Sequence, residues 1–275
     1  MDSEQPAARL NAIRIDDPGD PRVAVYRDVR ERDLVGREGR FVAEGKVVLA
    51  ALFSAGRFEA ESVLVLENRL EGLADTLDAA PADLPVYVAS AEVMNAIAGF
   101  PIHRGILAVG RRRAPETFED LLASLPRRAT VVVLVGLSNH DNVGAIFRNA
   151  AAFGADAVVL DRTSCDPLYR KAIRVSVGAA LKVPFVRGGD AVEIIGTVRR
   201  HGFEPVALSP AGAEDIRSIA RPERAALVLG AEGPGLSAAL LGKLRTARIA
   251  MAPGFDSLNV AAASAIALHE MCRAG

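Results

Sequence analysis

The chain has 275 residues, half of them hydrophobic, and a formal net charge of −1. This length is enough for two domains with hydrophobic cores, and the charge balance excludes the overall basic character of many nucleic-acid-binding proteins. No apolar run is long enough to span a membrane, and the first residues lack a signal-peptide pattern. Two cysteines and four scattered histidines without metal-ligand spacing predict a cytoplasmic protein with reduced thiols and no metal.

The first part of the chain alternates between strand and helix patterns. Residues 1–21 are polar and punctuated by Pro and Gly, which predicts a flexible arm, and a charged helix is predicted from Tyr26 to Leu34. The remaining predictions are a strand end and helix within 41–56 and strands at 61–67, 84–90 and 104–110. This alternation predicts a small α/β domain over residues 22–110.

Residues 111–129 combine arginines, prolines and one short helix, and are predicted to link this domain to a second one at 130–275. The second domain opens with TVVVLVGL (130–137), an almost wholly apolar strand typical of parallel sheets covered on both faces. Helices are predicted at 143–154 and 190–201, and further strands at 156–160, 182–186, 204–209, 225–230 and 247–251. The pattern predicts a doubly wound parallel sheet with a ligand site beyond its strand ends, after residues 137, 208, 229 and 251.

Basic residues cluster in two places on this nearly neutral chain. Residues 162–187 contain Arg170, Lys171, Arg174 and three further basic residues but only one acid, Asp166. Arg111, Arg112 and Arg113 form the second cluster, just after Arg104. Each cluster is either a solvated face or a phosphate-binding surface.

Three polar segments of the second half have functional and structural interpretations. Asn142 and Arg148 lie six residues apart at a helix start, where Arg148 could also be a surface arginine. The loop LGAEGPGLS (229–237) places Glu232 among glycines, although a glycine turn capping a helix is the alternative. It lacks the spacing of a dinucleotide fingerprint, which disfavours a dehydrogenase. Ser257 and Asn259 suit the N-cap of the small-residue helix that follows, which on its own predicts a packing helix.

Together these segments resemble a known family. N-V-G-A-I-F-R-N-A (142–150), L-G-A-E-G-P-G-L-S (229–237) and S-L-N-V (257–260) are similar to the motifs of the SpoU (TrmH-like) family of SPOUT RNA 2′-O-ribose methyltransferases, and they occur in the family's order. The segments 41–52 and 100–110 resemble, more weakly, the ribosomal-protein-like substrate-binding domain that precedes many such catalytic domains.

The resemblance implies a C-terminal α/β trefoil-knot domain with a parallel sheet, S-adenosylmethionine as cofactor, and a homodimer. It implies methyl transfer to a ribose 2′-hydroxyl of structured RNA, rRNA rather than tRNA. The implied catalytic positions are Arg148, Asn142, Glu232, Ser257 and Asn259. The implied cofactor contacts are Gly230, Ile249, Leu258, Leu208 and Ser209. Arg174 matches a further family segment and is expected to contact RNA, together with its basic neighbours Arg170 and Lys171.

The family's proposed base, here Arg148, raises a chemical difficulty because guanidinium groups stay protonated well above neutral pH. Arg148 therefore either accepts the hydroxyl proton or orients the hydroxyl and a phosphate. The chain also departs from the family pattern: Asn139-His140-Asp141-Asn142 replaces the Asp-Pro-x-Asn of many members, and Ala231 stands where Asn is frequent. The altered 138–141 stretch motivates an alternative, a non-catalytic RNA-binding protein that retains the knot fold.

Overall fold

The computed structural model describes residues 12–27, 35, 39–113, 116–254 and 257–272. Its strands are β1 (Ile13–Ile15), β2 (Arg40–Glu44), β3 (Phe58–Leu66), β4 (Val86–Ala89), β5 (Ile106–Arg112), β6 (Ala129–Val135), β7 (Ala157–Leu160), β8 (Phe185–Arg187), β9 (Glu204–Leu208), β10 (Glu214–Asp215), β11 (Arg224–Gly230) and β12 (Arg245–Arg248). Its α-helices are α1 (Lys46–Ser54), α2 (Glu67–Leu70), α3 (Ala74–Leu77), α4 (Ala91–Ala98), α5 (Phe118–Ser124), α6 (His140–Phe153), α7 (Arg170–Val175), α8 (Ala179–Lys182), α9 (Ala191–Arg200), α10 (Ala238–Leu241) and α11 (Val260–Met271).

The chain divides into two compact units. The first comprises Met1–Ala114 and Leu168–Lys182, and the second comprises Pro115–Pro167 and Val183–Gly275. Residues 168–182, expected within the C-terminal domain, instead pack in the first unit, where α7 contacts β2 and α8 contacts α1. Gly178 permits this packing, because a Cβ there would lie 2.9 Å from the Cβ of Ala51.

The first unit is built on a mixed sheet with the strand order β1-β4-β3-β5-β2. β1 pairs in parallel with β4, so Ile13–Ile15 belong to the sheet and not to the expected flexible arm. Burial of Ile15 in the hydrophobic core of this unit explains why the segment is ordered as a strand. Of the predicted helix from Tyr26 to Leu34, residues 28–34 lie outside the described residues, and Tyr26 ends a 3-10 helix, Pro21–Tyr26.

The second unit contains a sheet with the order β10-β12-β9-β11-β6-β7-β8. Every neighbouring pair runs in parallel, which confirms the predicted α/β class with a parallel sheet. Nearly all of β6 is buried, as its apolar sequence predicts for a central strand covered on both faces.

Residues 111–129 were expected to form a linker, yet most of the described part of this segment is regular structure. Arg111 and Arg112 complete β5. The Thr117 and Asp120 side chains form a capping box at the start of α5. Leu121 and Leu122 of this helix enter the core of the second unit, and their burial explains why the segment is ordered against that sheet.

The register of the parallel sheet brings the predicted ligand-binding segments to one edge. Gly230 at the end of β11 lies opposite Val135 of β6, and Leu208 at the end of β9 lies opposite Ala247 of β12. β12 ends at Arg248, three residues earlier than the sequence predicts, so Ile249 lies in the loop beyond the strand. The four polar segments, which come after residues 137, 208, 229 and 251, therefore all lie at the same edge of the sheet.

Candidate active site

A cavity of about 360 Å³ lies at this edge, in the second unit. Segments that follow β9, β11 and β12 line it together with the start of α11. All five residues expected to contact a cofactor are in its wall, namely Leu208, Ser209, Gly230, Ile249 and Leu258. Glu232, Ser257 and Asn259 line it as well. The volume is within the range of small-molecule sites.

The glycine-rich loop after β11 is a tight hairpin that leaves almost no space beside Gly230. Gly235 donates its N–H to the carbonyl of Ala231 at 3.0 Å, which closes the turn around Glu232. A Cβ on Gly230 would lie 2.5 Å from the backbone nitrogen of Leu236 and 2.6 Å from the carbonyl carbon of Gly235. Only glycine therefore fits at this point of the cavity wall, where backbone groups are brought close to a ligand.

The Asn259 side chain contacts two other predicted site residues and caps a helix. Its Oδ1 accepts hydrogen bonds from the N–H groups of Ala261 and Ala262 and so caps α11. Its Nδ2 donates to Oδ1 of Asn142 at 3.0 Å and to Oε1 of Glu232 at 3.1 Å. One amide thus joins the start of α6, the glycine hairpin and the start of α11. The structure assigns the N-cap to Asn259, one of the two capping candidates.

Asn142 and Arg148 differ in their surroundings although both lie on α6. Asn142 is only 6% exposed and lies in the first turn, where it contacts Asn259. Arg148 is exposed and lies on the third turn. Neither is among the described residues that line the cavity. The predicted catalytic set is therefore joined through the Asn142–Asn259–Glu232 contacts, with Arg148 outside them.

Asn149 contributes a contact that sequence reasoning missed. Its Nδ2 donates to the carbonyl of Ala261 at 2.8 Å and to Oγ of Ser264 at 2.9 Å, which ties α6 to the first turns of α11. It lies seven residues after Asn142, so helical periodicity places the two amides on one face of α6. The periodicity could have indicated that Asn149 faces the same way as Asn142. It could not have identified the partners of Asn149, because they lie more than a hundred residues later in the chain. Pro210 and Met251 are further cavity-lining residues that the sequence did not single out.

The three basic residues expected to contact RNA lie on α7, in the first unit. The guanidinium carbon of Arg170 lies 4.4 Å from the ring centroid of Phe100, a cation–π contact. Lys171 and Arg174 are exposed. The cavity belongs entirely to the second unit, so these three residues and the cavity are parts of different units.

The titratable groups of the described residues provide no metal site. No group of three or more His, Cys, Asp or Glu side chains within the described ranges is arranged to hold a metal ion. Cys165 and Cys272 are free, and burial raises the pKa of the Cys165 thiol to about 12. No helix in the part of the chain that the structure describes is long and apolar enough to cross a membrane.

The parallel sheet, the glycine hairpin and the capped small-residue helix around one cavity define an α/β protein with a small-molecule site beyond its strand ends. A sequence model described as the SpoU rRNA Methylase family matches residues 129–269. The chain belongs to this SpoU family.

Similar proteins extend this likeness to almost the whole chain. An uncharacterized tRNA/rRNA methyltransferase of Mycobacterium bovis is 42% identical over 97% of this chain and 93% of its own length. A 23S rRNA (guanosine-2′-O-)-methyltransferase of Acinetobacter baylyi is 30% identical over 78% of this chain and 91% of its own length. The crystal structure of an AdoMet-bound rRNA methyltransferase from Sinorhizobium meliloti matches with a TM-score of 0.78 and 25% identity, covering 94% of this chain and 97% of that one.

Proposed function

We propose that this protein transfers a methyl group from S-adenosylmethionine to a ribose 2′-hydroxyl of structured RNA, rRNA rather than tRNA. The observation that carries the proposal is the Asn259 side chain, which joins Asn142 and Glu232 at a cavity beyond the strand ends. The name of the Acinetobacter baylyi relative, a 23S rRNA guanosine-2′-O-methyltransferase, supports the choice of reaction and of RNA.

The cavity has the chemistry that S-adenosylmethionine requires. Leu208, Ile249 and Leu258 supply apolar surface, whereas the close backbone approach at Gly230 supplies peptide groups. Glu232 adds a carboxylate to the wall, which suits a ligand with ribose hydroxyls and a positively charged sulfonium. The AdoMet-bound Sinorhizobium meliloti structure supports this assignment. When bound, this cofactor supplies an electrophilic methyl group.

Methyl transfer requires the ribose hydroxyl to lose its proton, which would pass to water, or to Arg148 in the alternative role below. Glu232, Ser257 and Asn259 line the cavity and position the ribose there, and Asn142 accepts a hydrogen bond that holds the Asn259 amide. Arg148 is exposed on α6, where its planar guanidinium can donate hydrogen bonds to the target hydroxyl and to a neighbouring phosphate. In this proposal Arg148 orients the nucleophile, and transfer of the proton to Arg148 is the alternative role.

Binding of RNA extends the proposal to the first unit. Arg170, Lys171 and Arg174 occupy one short helix, α7, and carry the positive charge that phosphates require. The family resemblance adds a knotted chain path in the second unit and a homodimer to the proposal. Light scattering on the purified protein tests whether two copies pair.

The decisive experiment is nucleoside mass spectrometry of RNA from a strain lacking the gene and from the complemented strain. Loss of one 2′-O-methylated nucleoside from rRNA, restored by complementation, is the expected result. An unchanged set of methylated nucleosides would contradict the proposal. Calorimetry with S-adenosylmethionine separates the alternative, since a non-catalytic RNA-binding protein would bind RNA without binding the cofactor.

A further inference from the structure

Asp161 is a buried carboxylate at the carboxyl end of β7, and it accepts hydrogen bonds from three residues. It is only 5% exposed. Its Oδ1 accepts from the Gly136 N–H at 3.1 Å, and from the N–H and Oγ of Ser164 at 2.9 and 2.6 Å. Its Oδ2 accepts from Oγ1 of Thr163 at 2.5 Å. Burial acts to raise the pKa of Asp161, but these hydrogen bonds outweigh it and hold the pKa below its ordinary value.

Asp161 and Ser164 both hold the backbone of the loop between β6 and α6. Gly136 has a φ of 72°, a left-handed conformation that favours glycine. The N–H of the next residue, Leu137, donates to Oγ of Ser164 at 3.0 Å. Its carbonyl accepts from the N–H of Cys165 at 2.8 Å. The backbone of this loop is therefore held by a carboxylate and a hydroxyl of the neighbouring loop.

The same loop leads directly to the candidate active site. Asn139 caps α6, and Asn142 in the first turn contacts Asn259. A Cβ on Gly136 would lie 3.4 Å from the Cβ of Ala231, a residue of the cavity wall. Asp161 itself is not one of the described residues that line the cavity. Its connection to the site runs through the loop and the helix.

We propose that Asp161 is a positioning residue for methyl transfer, which holds the β6–α6 loop so that α6 presents Asn142 correctly to Asn259 and Arg148 correctly to the substrate. Asp161 does not touch the reacting groups. This inference rests on the proposed function. Because small displacements of a reacting group reduce rates steeply, a loosened loop should affect turnover more than it affects cofactor binding.

The chain offers a matched control at the opposite end of the same two strands. Asp156, just before β7, accepts the N–H of Thr130 at the start of β6 through Oδ2 at 2.7 Å. Both aspartates thus bind a backbone N–H of the neighbouring strand segment. Only Asp161 lies at the edge of the sheet where the cavity is found. Comparing Asp161→Asn with Asp156→Asn separates general stability from positioning.

The test measures kcat, KM for RNA, the Kd for S-adenosylmethionine, and amide hydrogen exchange in the wild type and both variants. For Asp161→Asn we expect kcat to fall about 10- to 100-fold, with the Kd for cofactor within about threefold. Exchange should accelerate at Gly136 and Leu137. For Asp156→Asn we expect kcat within about twofold of wild type and no faster exchange in that loop, even where the thermal midpoint falls.

Several outcomes would overturn the inference while the wild type remains active. They are an unchanged kcat in Asp161→Asn, a parallel loss of cofactor affinity, or an equal loss of kcat in Asp156→Asn. Should Asp161→Asn not fold, Ser164→Ala provides a second test, because it removes the hydroxyl that accepts the N–H of Leu137 and should lower kcat. Ser164→Thr keeps a hydroxyl and should retain more turnover than Ser164→Ala. A wild-type protein that methylates no RNA would instead contradict the proposed function.

Discussion

The side-chain amide of Asn259 donates a 3.0 Å hydrogen bond to the amide oxygen of Asn142, which precedes it by 117 residues. The acceptor is buried, and the donor also contacts Glu232 at the cavity. Loss of this donor would leave a buried oxygen without its partner, which costs about 1–3 kcal/mol. The contact therefore makes the geometry of the site depend on one residue.

Asn259→Asp should separate the capping role of this residue from its role in the site. Aspartate caps helices as well as asparagine does, so we expect the free energy of unfolding to fall only by the about 1–3 kcal/mol that the lost contact with Asn142 costs. A carboxylate cannot donate to Asn142 and would repel Glu232, so methyl transfer should fall at least about tenfold. Urea denaturation and a methyl-transfer assay measure the two effects.

The matched control for this prediction is Asp190→Asn, at the N-cap of α9. Asp190 accepts from the N–H groups of Val192 and Glu193 and is not among the described residues of the cavity wall. The substitution Asp190→Asn exchanges aspartate for asparagine at a helix N-cap, the reverse of Asn259→Asp. Because Asp190 lies away from the cavity wall, methyl-transfer activity should be unchanged. Wild-type turnover in Asn259→Asp would contradict the proposed role of the amide.

Gly230→Ala should weaken cofactor binding. Its Cβ would lie 2.5 Å from a backbone nitrogen, so the hairpin that forms the cavity wall must shift. We expect the Kd for S-adenosylmethionine, measured by calorimetry, to rise at least about tenfold. Gly196→Ala in the interior of α9 is the control, since its nearest neighbour is the end of the Arg200 side chain at 3.5 Å. That change should stabilise the protein by about 0.5–1 kcal/mol and leave the Kd unchanged.

Arg148→Ala should reduce kcat about 100- to 1000-fold, the usual effect of removing a group that binds the reacting oxygen. Arg148 is outside the described wall of the cavity, so the Kd for cofactor should stay within about twofold of wild type. Arg148→Lys retains the charge without the planar fork and should be intermediate. Equal losses of kcat and of cofactor affinity in Arg148→Ala would show that its role is different.

Stability in acid should depend on Glu119, which pairs α5 with α9. Hydrogen bonds from Arg200 and His201 hold the pKa of Glu119 below its ordinary value. A carboxyl group with a lowered folded-state pKa stabilises the protein above its unfolded-state pKa, and this contribution is lost as the pH falls through the folded-state pKa. Between about pH 5 and pH 3, the wild type should therefore lose more stability than Glu119→Gln. Parallel urea midpoints across this range would contradict the assignment.

The sequence predicted the α/β class because strands such as β6 are continuous apolar runs, a pattern that only a doubly covered parallel sheet buries completely. The strand-end rule predicted only the edge of the sheet where a ligand would bind, and the individual residues expected there came from the resemblance to the SpoU family. The sequence did not predict the strand at Ile13–Ile15, since three residues carry too little periodicity and Ile15 becomes buried only against distant strands. The position of residues 168–182 was missed for a similar reason, because α7 and α8 are short and their partners come from the first unit.

Within the site, local sequence determined which residue types are available: amides, one carboxylate and close-packing glycines at the ends of strands. Only the tertiary structure decided which of them meet. The contacts of Asn259 with Asn142 and Glu232, and of Asn149 with Ser264, join residues distant in the chain. The physical reason is that short-range patterns specify strands and caps, whereas hydrogen bonds between loops depend on how the sheet aligns their ends.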